Sequence, residues 1–320
     1  MRKITGAQAI NEAIHEELNR DKNCYYIGED IGLYHEGRGL NGVGEGLLEK
    51  FGPQRVVETP ISEGCIVGSS VGAAMFGMRP IAEIMHSEFL ATCLEHLVYG
   101  GPKGSTNADG IPVPMTVRAP CGGTEPAQAI QNENCEAWFC NTPGLTVVEA
   151  SNPYDLKGLL KSAIRSDYPV LFFEHNALYK LPWEVPETEY TLPLGKAQIK
   201  RPGTDVSIIA YGNMVNRALQ AAAQLEQEGI STEVVDVMTL VPLDRQTILS
   251  SVRTTGRAVV LYEARKSGGY GAEIAAVIAE QAFETLKAPV IRCAGPDVAV
   301  NYPQTVEQIM EAVRRILANK

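Results

Sequence analysis

The chain has 320 residues, of which 45% are hydrophobic and 21% charged, and it carries a formal net charge of −10. Such a length gives room for two domains of ordinary size with sizeable cores. The acidic balance excludes nonspecific binding to nucleic acid or to an anionic membrane surface, because no Lys/Arg-rich run offsets phosphate repulsion. Seven cysteines (Cys24, Cys65, Cys93, Cys121, Cys135, Cys140 and Cys293) form no C-x-x-C pair, which reads as reduced structural thiols. With no secretory or transit segment and no membrane-length apolar run, a cytoplasmic protein is expected.

In chain order, residues 6–19 place Ile10, Ala13, Ile14 and Leu18 on one face of a helix. Y-Y-I-G-E-D reads as a strand ending in a carboxylate pair, and a Gly-rich loop follows it. Residues 64–77 form a helix of small residues, and I-P-V-P-M-T-V-R reads as a strand opened by prolines. L-T-V-V-E-A, a helix from Tyr154 to Arg165 and P-V-L-F-F-E-H make a strand–helix–strand unit. Residues 181–204 are Pro-rich and aperiodic, which predicts a linker between a first domain over 1–180 and a second over 205–320. In the second, strands V-S-I-I-A-Y-G, T-E-V-V-D-V, A-V-V-L-Y-E-A and P-V-I-R-C-A alternate with helices over 214–228, 243–254, 271–286 and from Val306. Alternating helices and apolar strands imply parallel sheets covered on both faces, so both domains are predicted to be α/β.

G-V-G-E-G and G-G-Y-G-A-E lack the strand context of a dinucleotide fingerprint, and no P-loop, H-E-x-x-H or nucleophile elbow is present. The acid that stands out is Glu63, between a strand and the small-residue helix, at the ligand-facing edge of an open α/β sheet. A carboxyl there can share a proton with a heterocycle nitrogen. It can equally be a helix N-terminal carboxylate, with Ser62 as the capping neighbour.

The stretch T-P-I-S-E-x-x-x-x-G-x-x-x-G-A-A-M-x-G-x-R-P-I-x-E resembles the beta subunits of thiamine-diphosphate-dependent 2-oxo acid dehydrogenases, those of the pyruvate, branched-chain and acetoin enzymes. Further matching blocks include Y-I-G-E-D, F-F-E-H-x-x-L-Y, V-P-L-G-K-A, L-V-P-L-D-R-x-T-I-L-x-S-V and G-G-Y-G-A-E-I, so the resemblance spans the chain. It implies two doubly wound α/β domains, a pyrimidine-binding domain followed by a transketolase-like C-terminal domain. It makes Glu63 the residue that shares a proton with the cofactor's aminopyrimidine and promotes ylid formation. Phe89, in H-S-E-F, and Ile61 would lie against the same ring. Glu29, with Glu95, would line a polar tunnel between paired sites. Met115, Ala163, Ser166 and Tyr168 fall where family members hold a monovalent cation such as K+, mainly through main-chain oxygens.

The resemblance also implies what is missing. The family's enzymes anchor the diphosphate and Mg2+ through G-D-G followed about two dozen residues later by Asn, oxygen ligands that suit a hard cation. This chain has only A-D-G at 108–110. An alpha subunit is therefore expected to bring the phosphate half, in a heterotetramer of two alpha and two beta chains.

One departure bears on the acceptor. The family's Q-H-S-Q histidine, associated with acyl transfer to lipoamide, is Gln131 here, and an amide cannot deliver a proton as an imidazole does. His86, three residues before Phe89, could be a displaced imidazole. Three readings follow: a conventional subunit serving a lipoyl acyltransferase; a specialised relative serving a carrier protein, carbonyl compound or sugar; or a catalytically weakened assembly subunit. Retention of Glu63 argues against the last.

Overall fold

The computed structural model describes residues 1–32, 39–106, 110–123, 133–299 and 302–318. Fourteen strands among these residues are β1 (Arg2–Thr5), β2 (Cys24–Glu29), β3 (Val56–Thr59), β4 (Arg79–Glu83), β5 (Thr116–Cys121), β6 (Thr146–Glu149), β7 (Val170–His175), β8 (Pro182–Val185), β9 (Gln198–Arg201), β10 (Val206–Ala210), β11 (Thr232–Asp236), β12 (Thr239–Val241), β13 (Ala258–Arg265) and β14 (Ile291–Gly295). The helices are α1 (Gly6–Arg20), α2 (Leu47–Phe51), α3 (Glu63–Met75), α4 (Gly101–Thr106), α5 (Glu136–Cys140), α6 (Pro153–Arg165), α7 (Met214–Gln227), α8 (Arg245–Thr255), α9 (Gly271–Gln281) and α10 (Val306–Ala318).

They build a seven-stranded sheet, ordered β12-β6-β7-β5-β4-β2-β3, and a five-stranded sheet, ordered β14-β13-β10-β11-β9. Both are parallel except at one edge, where β12 and β9 run antiparallel to β6 and β11. One apolar core runs between the sheets: Val67 and Val71 of α3, Ile248 and Val252 of α8, and Ile274 and Ile278 of α9 share it with strand residues of both. The outer face of the first sheet is covered by α1 and α6, and that of the second by α7 and α10. The all-buried strands β2, β5, β7 and β10 owe their near-continuous apolar runs to this double cover.

Four sequence expectations differ from the structure. The segment over 181–204 is not bare linker: β8 pairs with β1, and β9 forms an edge of the second sheet. Residues 205–320 do not stay in one sheet, since β12 crosses to pair with β6. The helix expected over 271–286 ends at Gln281 and continues only as a 3-10 turn, Phe283–Thr285, while the strand expected from Ile111 starts at Thr116. Short antiparallel edges carry little hydrophobic periodicity, which is why β1, β8, β9 and β12 left no clear signal.

Charge is buried along the helix layer. Lys157, Lys161 and Arg165 recur every fourth residue of α6, and both lysines are buried. Lys157 Nζ lies 2.9 Å from Glu12 and 2.6 Å from Glu16, and Arg165 lies 2.6 Å from Glu17, so α1 answers with its own acidic stripe. A second polar knot links the two sheets. Lys200 of β9 reaches Asp155 at the start of α6 (2.6 Å) and Asp236 at the end of β11 (3.5 Å), and Ser151 Oγ donates to Asp236 at 2.5 Å.

Burial pushes the Asp236 carboxyl up to about 7, with Asp155 adding repulsion and Lys200 opposing it. Folded, Asp236 keeps its proton up to that pH; unfolded, it releases it near the ordinary 3.8. Between those limits the folded chain binds more protons, so this group's contribution to stability falls as pH rises. Denaturant melts across pH 4 to 7 are expected to show Asp236→Asn with a flatter pH dependence than the wild-type chain. An unchanged slope would contradict this assignment.

Candidate functional site

Parallel strands deliver their C-terminal ends to one edge of the sheet, the place where open α/β sheets bind ligands. Glu29 ends β2, Thr59 ends β3, and the two are register partners there. α3 starts at Glu63, whose half-buried side chain stands beside that edge. Ser62 is the N-cap residue but supplies no side-chain cap to α3, while Glu63 does stand in the helix's first turn.

Behind Glu63 the edge is unusually polar for its depth. Glu29 is only 5% exposed, and its Oε2 has no hydrogen-bond partner; Thr59 Oγ1 is also buried and unpartnered. A buried polar atom left unmatched costs about 1–3 kcal/mol, so two at one edge mark a place built to meet something. Burial raises the Glu29 pKa, the Glu63 and Asp30 charges raise it further, and His86 opposes them. Glu29, Glu63 and His86 are thus one electrostatic unit. Asp30, next in the chain, sits at φ 52°, a strained left-handed conformation of the kind that gathers at functional sites.

After β4 the chain enters a 3-10 turn, Ser87–Cys93, that carries Phe89. Phe89 is half-buried against the central core, with the His86 ring edge-on at 5.8 Å. Ile61 is 80% exposed on the approach to Glu63. Glu88 Oε2 is a third buried, unpartnered oxygen, and burial raises that carboxyl's pKa. Glu95 lies exposed, just before a π-helical turn, His96–Gly100. The structure therefore gathers Glu29, Glu63, His86 and Phe89, with Ile61 at the mouth. Gln131 and Asp109 of A-D-G lie outside the described residues.

Sequence reasoning missed Thr59 and Glu88, and neither announces itself: a Thr ending a strand and a Glu in a short turn are common. It also missed a set of buried acids farther along the edge. Glu149 ends β6, Glu136 opens α5 and Glu263 lies within β13, all at most 5% exposed. Burial raises the first two, while the His175 imidazole holds Glu263 below the usual carboxylate range. The signal that could have found Glu263 was an acid inside the otherwise apolar A-V-V-L-Y-E-A.

Comparison with known proteins places this geometry. Residues 2–182 match the transketolase pyrimidine-binding domain, and residues 195–312 match the transketolase C-terminal domain. The chain is 44% identical over 304 residues to the 2-oxoisovalerate dehydrogenase subunit beta of Bacillus subtilis, covering 94% of this chain and 92% of that one. It is 41% identical to the same organism's pyruvate dehydrogenase E1 component subunit beta, covering 99% of both. It is 44% identical to the acetoin:2,6-dichlorophenolindophenol oxidoreductase subunit beta of Cupriavidus necator, over 96% of this chain and 93% of that one. A solved split-gene transketolase, an inactive beta4 tetramer, superposes with a TM-score of 0.82 at 24% identity over 99% of each chain, which speaks to the fold alone. The chain has the two-domain transketolase-like α/β fold of a thiamine-dependent class. It belongs to the family of E1 beta subunits of 2-oxo acid dehydrogenases.

The residues fit the pyrimidine half of thiamine diphosphate: an aromatic face in Phe89, a carboxyl at the mouth in Glu63, and unmatched oxygens behind it. For the metal half, no group of three His, Cys, Asp or Glu able to hold an ion occurs among the described residues. At the expected monovalent-cation position the carbonyls already accept hydrogen bonds from within the fold. Arg79 Nη1 already donates to the carbonyls of Ile164 (3.3 Å) and Ser166 (2.8 Å), and Nη2 donates to Asp167. The carbonyls of Met115, Ala163 and Tyr168 accept from Val170 N–H, Ser166 N–H and Ser166 Oγ. A guanidinium thus supplies the positive charge at that turn.

Because Glu29 is buried next to a like charge, Glu29→Gln is expected to stabilise the isolated chain, by about 1 kcal/mol, as replacements of strained site residues commonly do. Chemical denaturation of both proteins at neutral pH measures it, and a destabilised variant would show that Glu29 is matched by a partner within the fold.

Proposed function

We propose that this chain is the beta subunit of a cytoplasmic thiamine diphosphate-dependent enzyme that decarboxylates a pyruvate-like 2-oxo acid and passes the acyl unit to lipoamide. It acts with an alpha subunit, two copies of each, and the alpha chain holds the diphosphate and its Mg2+. The observation that carries this reading is Glu63 at the open end of α3, backed by the unmatched oxygens of Glu29 and Thr59.

Thiamine diphosphate, when bound, would supply a nucleophilic carbon that adds to the 2-oxo group and a cationic ring that accepts the electron pair left as carbon dioxide departs. This chain's part is proton control. Glu63 holds and returns a proton at a pyrimidine ring nitrogen, and its charge adds to burial in raising the pKa of Glu29 beside it. Phe89 and Ile61 offer apolar surface to the ring and keep water from it. His86, whose charge acts on both Glu29 and Glu88, is an imidazole that could move a proton toward the acceptor side.

A second reading is favoured by one observation: Gln131 stands where the family carries its acyl-transfer histidine. In that case decarboxylation is kept and the acyl or two-carbon unit goes to a carrier protein, a carbonyl compound or a sugar.

Copurification with the alpha partner, followed by parallel assays of carbon dioxide release from pyruvate and acylation of a lipoylated domain, separates the readings. Glu63→Ala is expected to lower carbon dioxide release by about 10²–10⁴-fold, the usual worth of a positioned acid–base group. Lipoyl acylation that keeps pace supports the first reading; release without lipoyl product supports the second. Release undiminished in Glu63→Ala would remove the basis for both.

A further inference from the structure

Two residues of β13, on the far sheet, reach across to the pyrimidine site. Glu263 and Arg265 are two positions apart in β13, and both bond to residues of the first half of the chain. Glu263 is buried and spends its carboxylate on the first sheet: Oε1 accepts Gly123 N–H at 3.3 Å, and Oε2 lies 2.8 Å from His175 Nε2. His175 Nδ1 accepts the Ala177 N–H at 3.1 Å, so the ring is neutral with its proton on Nε2, donated to Glu263. The carboxylate is therefore the acceptor of the pair.

The residues it holds are well fixed. Gly122 adopts φ 69°, and a Cβ there would sit 2.1 Å from His175 Nε2, so only glycine lets the ring close on this backbone. Asn176 Nδ2 donates to the carbonyls of Gly122 (2.8 Å) and Cys121 (3.2 Å). On the other side, Arg265 pairs with Glu133, and Asn134 lies against the Glu263 carboxylate, though its own Nδ2 makes no well-formed hydrogen bond.

Residues 133–135 in turn hold the turn that carries Phe89. Ser87 Oγ donates to the Glu133 carbonyl at 2.6 Å, and Cys135 Sγ lies 3.4 Å from the Ser87 carbonyl. A relay runs from β13 through Glu133–Cys135 to Ser87, two residues from Phe89 and one from His86.

We propose that Glu263 and Arg265 are positioning residues for the cofactor site: through Gly123 and Glu133–Cys135 they set the place of the Ser87–Phe89 turn, and with it the pyrimidine-facing ring. The inference rests on the cofactor reading above for its consequence, and on described contacts for its mechanism. It gives the C-terminal half of the chain a part in the site that its own sheet does not otherwise have.

The test uses the intact chain for amide hydrogen exchange and the assembled complex with its alpha partner for the apparent thiamine diphosphate affinity. Glu263→Gln places an amide NH2 against either Gly123 N–H or His175 Nε2–H. Exchange over 86–93 and 121–123 is expected to quicken at least fivefold, with α10 unchanged, and cofactor affinity to weaken at least fivefold. Arg265→Glu and Glu133→Arg should each quicken exchange over 86–93, and the double exchange of charges should restore at least half of the protection, which a general loss of stability would not do. Arg265→Lys, which keeps the charge, should stay within twofold of wild type.

Exchange over 86–93 that is unaltered in both Glu263→Gln and Arg265→Glu overturns the proposal, whatever the cofactor does. A wild-type complex that binds no thiamine diphosphate while the exchange effects appear overturns the cofactor reading and leaves the relay standing.

Discussion

The constraint on which the first sheet depends is the guanidinium of Arg118, 1% exposed in the middle of that sheet. It donates to Glu174 Oε1 at 2.8 Å and to Tyr26 at 3.0 Å, and pairs with Glu83; Tyr179 closes on Glu174 at 2.6 Å. The strand partners come from β7 and β4, which flank β5, and from β2 beyond β4, so one cation fixes the relative register of four adjacent strands. Such a centre is stable only while complete. Removing one member leaves buried charge unmatched, at a cost of about 3–5 kcal/mol. With the strands locked, Glu29 and Thr59 arrive together at the edge and α3 can start beside them.

The site inherits the opposite logic. Where each guanidinium nitrogen of Arg118 has a partner, Glu29, Thr59 and Glu88 each keep an oxygen that the described fold does not satisfy. A structure that spends so much on internal pairing elsewhere has reason to leave oxygens free at a ligand-facing edge, since those oxygens are what a heterocycle or a neighbouring chain can meet. Away from that edge much of the buried charge is answered across elements, although Asp155 Oδ1, Arg201 Nε, Glu233 Oε1 and Arg257 Nε are also unpartnered: the α1–α6 stripe, the Lys200 knot and the Glu263–His175 pair each join parts of the chain far apart in sequence. The two sheets are therefore held by polar contacts of defined geometry as well as by a shared apolar core.

Much of this was legible in the sequence, for identifiable reasons. The buried strands β2, β7, β10, β11, β13 and β14 are apolar runs between clear helices, and α1 and α6 carry their periodicity openly. Glu63 could be singled out because an acid before a run of small residues is costly to bury without a use. What could not be read depends on contacts distant in sequence. β12 joins the first sheet from the second half of the chain, and Pro-rich residues supply β8 and β9 because they meet open edges. The orphan state of Glu29 and Thr59 is a property of the packed edge, not of either residue. The monovalent-cation position came from the family resemblance alone, and the bond that Arg79, distant in sequence, makes to the Ser166 carbonyl there could not be read from the chain. The family's histidine replaced by Gln131 was visible only by comparison, and it bears on the acceptor rather than on the proton chemistry at Glu63.

The central claim is that this chain carries the pyrimidine half of a cofactor site and needs a second subunit for the rest. Calorimetric titration of thiamine diphosphate with Mg2+ into the chain alone, and into the chain assembled with its alpha partner, tests it most directly. The account predicts saturable binding to the assembly, with one cofactor per beta chain, and no measurable binding to the chain alone. Stoichiometric, Mg2+-dependent binding to the isolated chain would contradict it.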